Sequence, residues 1–290
     1  MRLVTYSHDG GTALGALGDD GVRPLGSDLP GAMVELVALG DEGLDRAARA
    51  ASRAEVIPLS DVRLLAPLRP RNNIMCIGKN YLDHAAEFAG SGFDASQQQA
   101  VPDHPIVFTK ALSSVVGPGD PIDVSADTTG TSDFEGELAV VIGRICRDVP
   151  AEQATDVIFG YTIANDVTAR DLQKSDVQFT RAKGFDSFCP VGPWIETDLD
   201  PQAFIDGRSV QTHLNGDVVQ DGSTADMIFD VPTLVAHVSS VMTLLPGDLI
   251  LTGTPEGVGP MQVGDEVEIS IAGIGALTNP VASRTSNTGS

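Results

Sequence analysis

The segment Asp133-Phe134-Glu135-Gly136-Glu137-Leu138-Ala139-Val140-Val141-Ile142 sets two carboxylates two residues apart at the mouth of an apolar run. A strand alternates its side chains between two faces, so Glu135 and Glu137 face the same side. Two anions on one half-buried face raise each other's pKa, and a bound cation removes that conflict. Read alone, the pair also suits a solvated strand edge kept soluble by its charge. A second apolar run, Gly160-Tyr161-Thr162-Ile163-Ala164-Asn165-Asp166, ends in an acid that can reach the same mouth. The ordinary alternative for Asp166 is an N-cap for a helix starting at Val167. Three oxygen donors without a neighbouring His or Cys favour Mg²⁺ or Mn²⁺ over zinc.

In Gly78-Lys79-Asn80-Tyr81-Leu82-Asp83-His84-Ala85-Ala86-Glu87, His84 and Glu87 are spaced to share one helix face. Such a pair can orient an imidazole or jointly deprotonate a water, although a solvated surface helix has the same pattern. The polar stretch after it, Gly90 to Gln99, has the composition of a closing lid. His8, His104, His213 and His237 lack comparable neighbours. Only four lysines occur, at 79, 110, 174 and 183, against fourteen arginines. Lys110 ends the run Pro105-Ile106-Val107-Phe108-Thr109-Lys110, where it can bind an anion or simply snorkel. Leu251-Thr252-Gly253-Thr254-Pro255-Glu256-Gly257-Val258-Gly259 is a Gly-rich loop whose amides and Thr254 hydroxyl can cradle a carboxylate. No Lys-Ser or Lys-Thr follows it, so it is not a nucleotide-binding Walker loop.

These residues must be positioned by a chain of 290 residues with 42% hydrophobic and 20% charged content, a globular composition. A formal net charge of −22 repels phosphate backbones and anionic membranes, so nucleic acid and membranes are not expected partners. The first residues carry no apolar run of signal-peptide length, and nothing approaches the roughly 20 apolar residues of a membrane span, which predicts a cytoplasmic protein. Cys76, Cys146 and Cys189 lack paired spacing, which predicts buried thiols and neither disulfides nor zinc. Short strand-like runs (Met1–Tyr6, Ala13–Leu17, Val22–Leu25) and a helix over Ala32–Ala54 make up a small N-terminal part, residues 1–68, closed by Ala66-Pro67-Leu68-Arg69-Pro70. Residues 69–282 read as many short strands (Ile74–Ile77, Ile106–Phe108, Leu138–Ile142, Gly160–Ala164, Leu249–Thr252, Val267–Ile271) with helices over Tyr81–Phe88, Thr168–Ser175 and Val231–Met242. Three Gly-Asp turns, at Gly119-Asp120, Gly247-Asp248 and Gly264-Asp265, each precede a strand-like run. Residues 283–290 read as a disordered tail. The pattern is α+β and β-rich, a sandwich or roll rather than a doubly wound sheet.

In chain order, Gly78-Lys79-Asn80-Tyr81 with His84 and Glu87, Phe108-Thr109-Lys110, Asp133 to Leu138, Asn165-Asp166-Val167-Thr168-Ala169-Arg170-Asp171-Leu172-Gln173, Lys183-Gly184-Phe185-Asp186 and Gly253 to Gly259 resemble the fumarylacetoacetate hydrolase family. The resemblance spans about residues 70 to 282. It implies a mixed β-sandwich roll with a small N-terminal α+β accessory domain, and a homodimer. It implies Glu135, Glu137 and Asp166 as metal ligands for Mg²⁺ or Mn²⁺, Lys183 as the active-site lysine, and His84 with Glu87 as a catalytic dyad on a lid. Lys110, Arg170, Gln173, Thr254 and Tyr81 are the implied substrate contacts; Ala111 stands where the family often has proline.

The implied activity is hydrolysis of a carbon-carbon bond in acylpyruvate-type 2,4-dioxo acids. A chelating metal and Lys183 stabilise the developing enolate while His84 and Glu87 activate water. The same site without water delivery decarboxylates oxaloacetate-like acids or isomerises 2-hydroxy-dienoates of aromatic catabolism. A reading of another class is a non-catalytic metal or metabolite binder. An adaptation of the acidic surface to high salt is compatible with each.

Overall fold

The computed structural model describes residues 1–90, 101–125, 127, 130–176 and 178–283; the proposed lid stretch after Gly90 and all but the first residue of the 283–290 tail lie outside them. The strand Gly136–Ile142 is buried at every position. Its alternate residues serve two different cores. Leu138, Val140 and Ile142 enter one with Val210, Ile269, Leu277 and Leu234, whereas Ala139 and Val141 enter another with Met33, Leu36, Val37 and Ala47. This is why the run reads as continuously apolar rather than alternating.

Among the described residues the largest sheet has eleven strands. Its main path runs Gly21–Pro24, Gly11–Gly18, Arg2–His8, Cys189–Glu196, Ile158–Asn165, Gly136–Ile142, Leu249–Leu251, Ile74–Gly78, Ile106–Thr109. Most pairings are antiparallel, but Leu249–Leu251 runs parallel to Ile74–Gly78. The N-terminal strands join this sheet directly, through Arg2 opposite Glu196. A five-stranded sheet, ordered Asp217–Ser223, Ser209–Leu214, Glu266–Ile271, Gly275–Ala282, Ile122–Asp123, contributes to the first core together with the helix Val231–Val241. A third, three-stranded sheet pairs Ser132–Phe134 with Thr168–Ala169 and Gly259–Pro260. The protein is thus a strand-rich α+β fold with several mixed sheets.

Two expected helices are altered. The helix expected over 32–54 is two, Met33–Val37 and Gly40–Ala51, because Gly40, where the second begins, takes a left-handed φ of 55°. The helix expected from Thr168 begins at Arg170, because Thr168 and Ala169 pair with Asp133 and Ser132 instead. The three Gly-Asp turns share one construction: the Asp120, Asp248 and Asp265 carboxylates accept the amides of Gly117, Leu245 and Gln262, at 2.7, 2.9 and 2.7 Å. All three cysteines are free; Cys76 and Cys189 are buried, and Cys146 is only half-buried.

Candidate active site

Glu135 lies at the joint between the strands Ser132–Phe134 and Gly136–Ile142. Its amide donates to Asn165 Oδ1 at 2.9 Å, and its carbonyl accepts the Asp166 amide at 2.9 Å. With Gly136 opposite Asn165 in the sheet, this lacing brings the end of the second acidic segment against the first. The carboxylates of Glu135, Glu137 and Asp166 then converge, with ligand atoms within 4.8 Å of one another, and all three are buried. Asp166 is not a helix cap: the helix Arg170–Ser175 starts four residues later, preceded by Ala169. The residue between the two glutamates must lack a side chain, since a Cβ on Gly136 would lie 2.4 Å from Thr212 Oγ1.

Cations surround this cluster. Lys183 Nζ donates to Asp166 Oδ2 at 2.7 Å, Glu135 Oε2 at 3.0 Å and Thr168 Oγ1 at 2.7 Å, and lies 4.7 Å from the centre of the Phe108 ring. Lys110 Nζ donates to Asp166 Oδ1 at 2.5 Å and to the Val167 carbonyl at 3.1 Å. Arg170 pairs with Glu135 Oε1 at 2.7 Å and donates to Asp133 Oδ2 at 2.7 Å and Gln173 Oε1 at 3.0 Å. Burial opposes ionisation of Glu135, but Lys183, Arg170 and His84 outweigh it and hold that carboxyl well below the usual range. Burial, Asp166 and Glu135 push Glu137 well above it. Burial likewise raises Asp133 despite Arg170. Lys183 is held above the ordinary lysine value, because Asp166 and Glu135 outweigh its burial. An all-oxygen, buried triad with one carboxyl still short of positive charge is a donor set that fits a hard divalent cation.

The Thr254 loop closes one side. Gly253, at a left-handed φ of 99°, packs where a Cβ would meet Asn80 Cβ at 2.8 Å, and its amide donates to Glu137 Oε2 at 2.7 Å. The Gly257 amide donates to Glu87 Oε2 at 3.2 Å. The loop does hold carboxylates, and these two are the protein's own. Asn80, fully buried, pins the loop by donating to the Thr252 carbonyl at 2.7 Å and the Phe229 carbonyl at 3.0 Å.

His84 is 6% exposed on the helix Leu82–Gly90, with Nδ1 3.4 Å from Glu87 Oε2. The bond to His84 and the Gly257 amide hold Glu87 below the usual glutamate range against partial burial. The loop that donates to Glu137 through the Gly253 amide and to Glu87 through the Gly257 amide places this pair beside the acidic cluster.

The structure therefore brings Glu135, Glu137, Asp166, Lys183, Lys110, Arg170 and Gln173 into one contact network, with His84 and Glu87 at its edge. Thr254 is tied in through Gln220, whose Nε2 donates to Thr254 Oγ1 at 2.8 Å. Tyr81 is buried, and its hydroxyl has no hydrogen-bond partner among the described residues. Three residues that the sequence reading gives no role take part: Asp133, Asn80 and Gln220. Gln220 lies on a hairpin that the Asn215-Gly216 pair between Ser209–Leu214 and Asp217–Ser223 advertises.

A family model described as fumarylacetoacetate (FAA) hydrolase C-terminal matches residues 73–282, and one described as Rv2993c-like, N-terminal matches residues 1–67. The chain is 42% identical over 273 residues to the oxaloacetate tautomerase YisK of Bacillus subtilis (strain 168), covering 87% of each. It superposes with a TM-score of 0.83 on a fumarylacetoacetate hydrolase of Exiguobacterium antarcticum, at 42% identity, covering 98% of this chain and all of that one. A maleylpyruvate hydrolase of Sphingobium sp. SYK-6, solved with manganese(II) and pyruvate, superposes with a TM-score of 0.80 at 34% identity, over 98% and 99% of the two chains. Among the described residues no helix is long and apolar enough to cross a membrane.

Proposed function

The chain belongs to the fumarylacetoacetate hydrolase family, whose members are enzymes, and from that membership we propose that it interconverts the keto and enol forms of an oxaloacetate-like 2-oxo acid with the help of Mg²⁺ or Mn²⁺. The observation that carries the proposal is the Lys183 ammonium, buried and held 2.7 and 3.0 Å from Asp166 and Glu135. It is a fixed positive charge beside a triad that suits a cation, where negative charge on a substrate oxygen needs stabilising. The similarity to an oxaloacetate tautomerase over 87% of both chains supports the same chemistry.

Glu135, Glu137 and Asp166 would hold the cation, which would supply Lewis-acid polarisation of the 2-oxo group. The remaining work falls to the chain. Arg170, with Gln173 bonded to it, holds the substrate carboxylate, and Thr254 and Tyr81 donate hydroxyls toward the oxygens. Lys110 fixes Asp166 through Oδ1 while Lys183 holds Oδ2. Glu87 fixes the His84 ring through Nδ1, and Nε2 accepts a proton from carbon 3 of the keto acid. The electron pair of that C–H bond forms the double bond between carbons 2 and 3 while the carbonyl π pair moves onto the 2-oxo oxygen beside Lys183, and return of the proton from His84 to that oxygen gives the enol; the reverse path restores the ketone.

Hydrolysis is the second reading. It is favoured by the His84–Glu87 pair, which can instead deliver water to a distal carbonyl, so that a pyruvate enolate leaves and is then protonated. The test is a panel of oxaloacetate, acylpyruvates and 2-hydroxy-dienoates with Mg²⁺ or Mn²⁺, following ketonisation, carbon-carbon cleavage and CO₂ release. Accelerated ketonisation of enol-oxaloacetate is expected. Acylpyruvate cleavage without it would establish the hydrolase, and CO₂ release alone the decarboxylase.

A further inference from the structure

Gln220 carries no charge and lies on neither acidic strand, yet all four hydrogen-bonding positions of its amide are filled. Its Oε1 accepts the Gly136 amide at 3.1 Å and the Thr212 hydroxyl at 2.7 Å, and its Nε2 donates to Thr254 Oγ1 at 2.8 Å and the Pro255 carbonyl at 2.8 Å. The side chain is 1% exposed. Its partners come from separate parts of the chain: Gly136 sits between two of the triad carboxylates, and Thr254 and Pro255 form the loop opposite. The five-stranded sheet meets the site here, where Thr212 and Gln220 lie opposite one another across the hairpin. A saturated buried amide is costly to disturb, because every lost bond leaves a buried polar group unpaired.

From this arrangement we propose that Gln220 is a positioning residue that sets the Thr254 loop against the Glu135-Gly136-Glu137 backbone, using its acceptor half for the cation-holding strand and its donor half for the substrate-holding loop. The proposal rests on the reading of Glu135, Glu137 and Asp166 as a cation site and of Thr254 as a substrate contact. A scaffolding amide would affect folding alone. A positioning amide acts on cation affinity and on KM, and the two halves are separable: Gln220→Glu keeps an accepting oxygen for the Gly136 amide and the Thr212 hydroxyl and removes the donors, whereas Gln220→Met removes all four bonds.

The test is calorimetric titration of the metal-free protein with Mn²⁺, alongside KM and kcat for whichever 2-oxo acid the wild type turns over. Groups that orient metal ligands typically contribute about 10- to 100-fold in affinity or activity. Gln220→Met is expected to weaken Mn²⁺ binding and raise KM, each by about 10-fold. Gln220→Glu is expected to raise KM by a similar factor while keeping Mn²⁺ affinity within about three-fold of wild type. A folded Gln220→Met protein with Mn²⁺ affinity and KM both at wild-type values overturns the proposal. Should that variant not fold, an unchanged KM in Gln220→Glu overturns it instead. Glu135→Gln separates the two levels: wild-type protein whose Mn²⁺ binding does not depend on Glu135 overturns the cation-site reading itself, and with it the acceptor half of the Gln220 proposal.

Discussion

Lys110 Nζ meets Asp166 Oδ1 at 2.5 Å with neither side chain reaching solvent. A buried ion pair is weak evidence of net stability, but removing one partner strands the other charge in a low-dielectric interior. Lys183 still pairs with Asp166 through Oδ2, so Lys110→Met is expected to destabilise the protein by less than a fully stranded charge would, about 1–3 kcal/mol in urea unfolding. Adding Asp166→Asn to it should recover part of that loss, and a single variant as stable as wild type would show that Lys183 alone suffices as the partner of Asp166.

Lys183 is expected to behave differently, because Thr168 and the neighbouring carboxylates hold it where charge develops. Lys183→Met should lower kcat by about 10²- to 10³-fold, the range seen for removing one group that stabilises a developing oxyanion. A kcat within about three-fold of wild type would place the stabilising charge elsewhere.

For the helix bearing His84, His84→Ala should lower kcat by about 10²-fold, in the range of a general base, with little change in melting temperature. Glu87→Gln should lose less, since the ring stays in place with a weaker partner. Steady-state kinetics of the two variants, compared at one pH, ranks them; equal rates in wild type and His84→Ala would assign the proton transfer to another group.

Cation binding should appear as stabilisation. At a Mn²⁺ concentration about 100 times Kd, a ligand that binds only the folded state adds about 2.7 kcal/mol. Thermal melting with and without Mn²⁺ should show this shift in wild type, and Glu135→Gln should abolish it. An equal shift in both would locate the ion away from the triad.

Asp248 provides a pH test remote from the site. It accepts the amides of Asn73 and Leu245, yet burial outweighs these bonds and raises its carboxyl above the ordinary value of 3.8. The unfolded chain then loses this proton at lower pH than the folded one. The contribution is complete below the unfolded pKa and falls as pH rises through the folded value. Relative to Asp248→Asn, which cannot ionise, wild type should thus lose stability as pH rises from about 4 toward neutrality. Urea unfolding at several pH values measures the difference, and the opposite slope would mean that the two amide bonds outweigh burial.

How much of this was legible in the sequence depends on range. Glu135 and Glu137 share a face by strand periodicity, and Asp166 reaches them because both acids end apolar runs that pair as neighbours, with Gly136 opposite Asn165. The helix bearing His84 and Glu87 is likewise a local pattern. The contacts of Asp133 and Gln220 were not visible, because their partners Arg170 and Gly136 lie 37 and 84 residues away. The Asn215-Gly216 signal could have revealed the hairpin beneath Gln220, though not what its amide touches. The helix over 32–54 was overextended because a regular apolar spacing concealed the left-handed turn at Gly40.

The strand that carries Glu137 commits its alternate residues to two separate cores. Such a strand can part from its neighbours only when both cores open together, so local fluctuations do not reach it. The triad is thus anchored at one end in a strand gripped by both cores, while His84 sits on a helix whose Leu82, Asp83, Ala86 and Glu87 face solvent. Opening of that helix would leave the frame that would grip the cation in place.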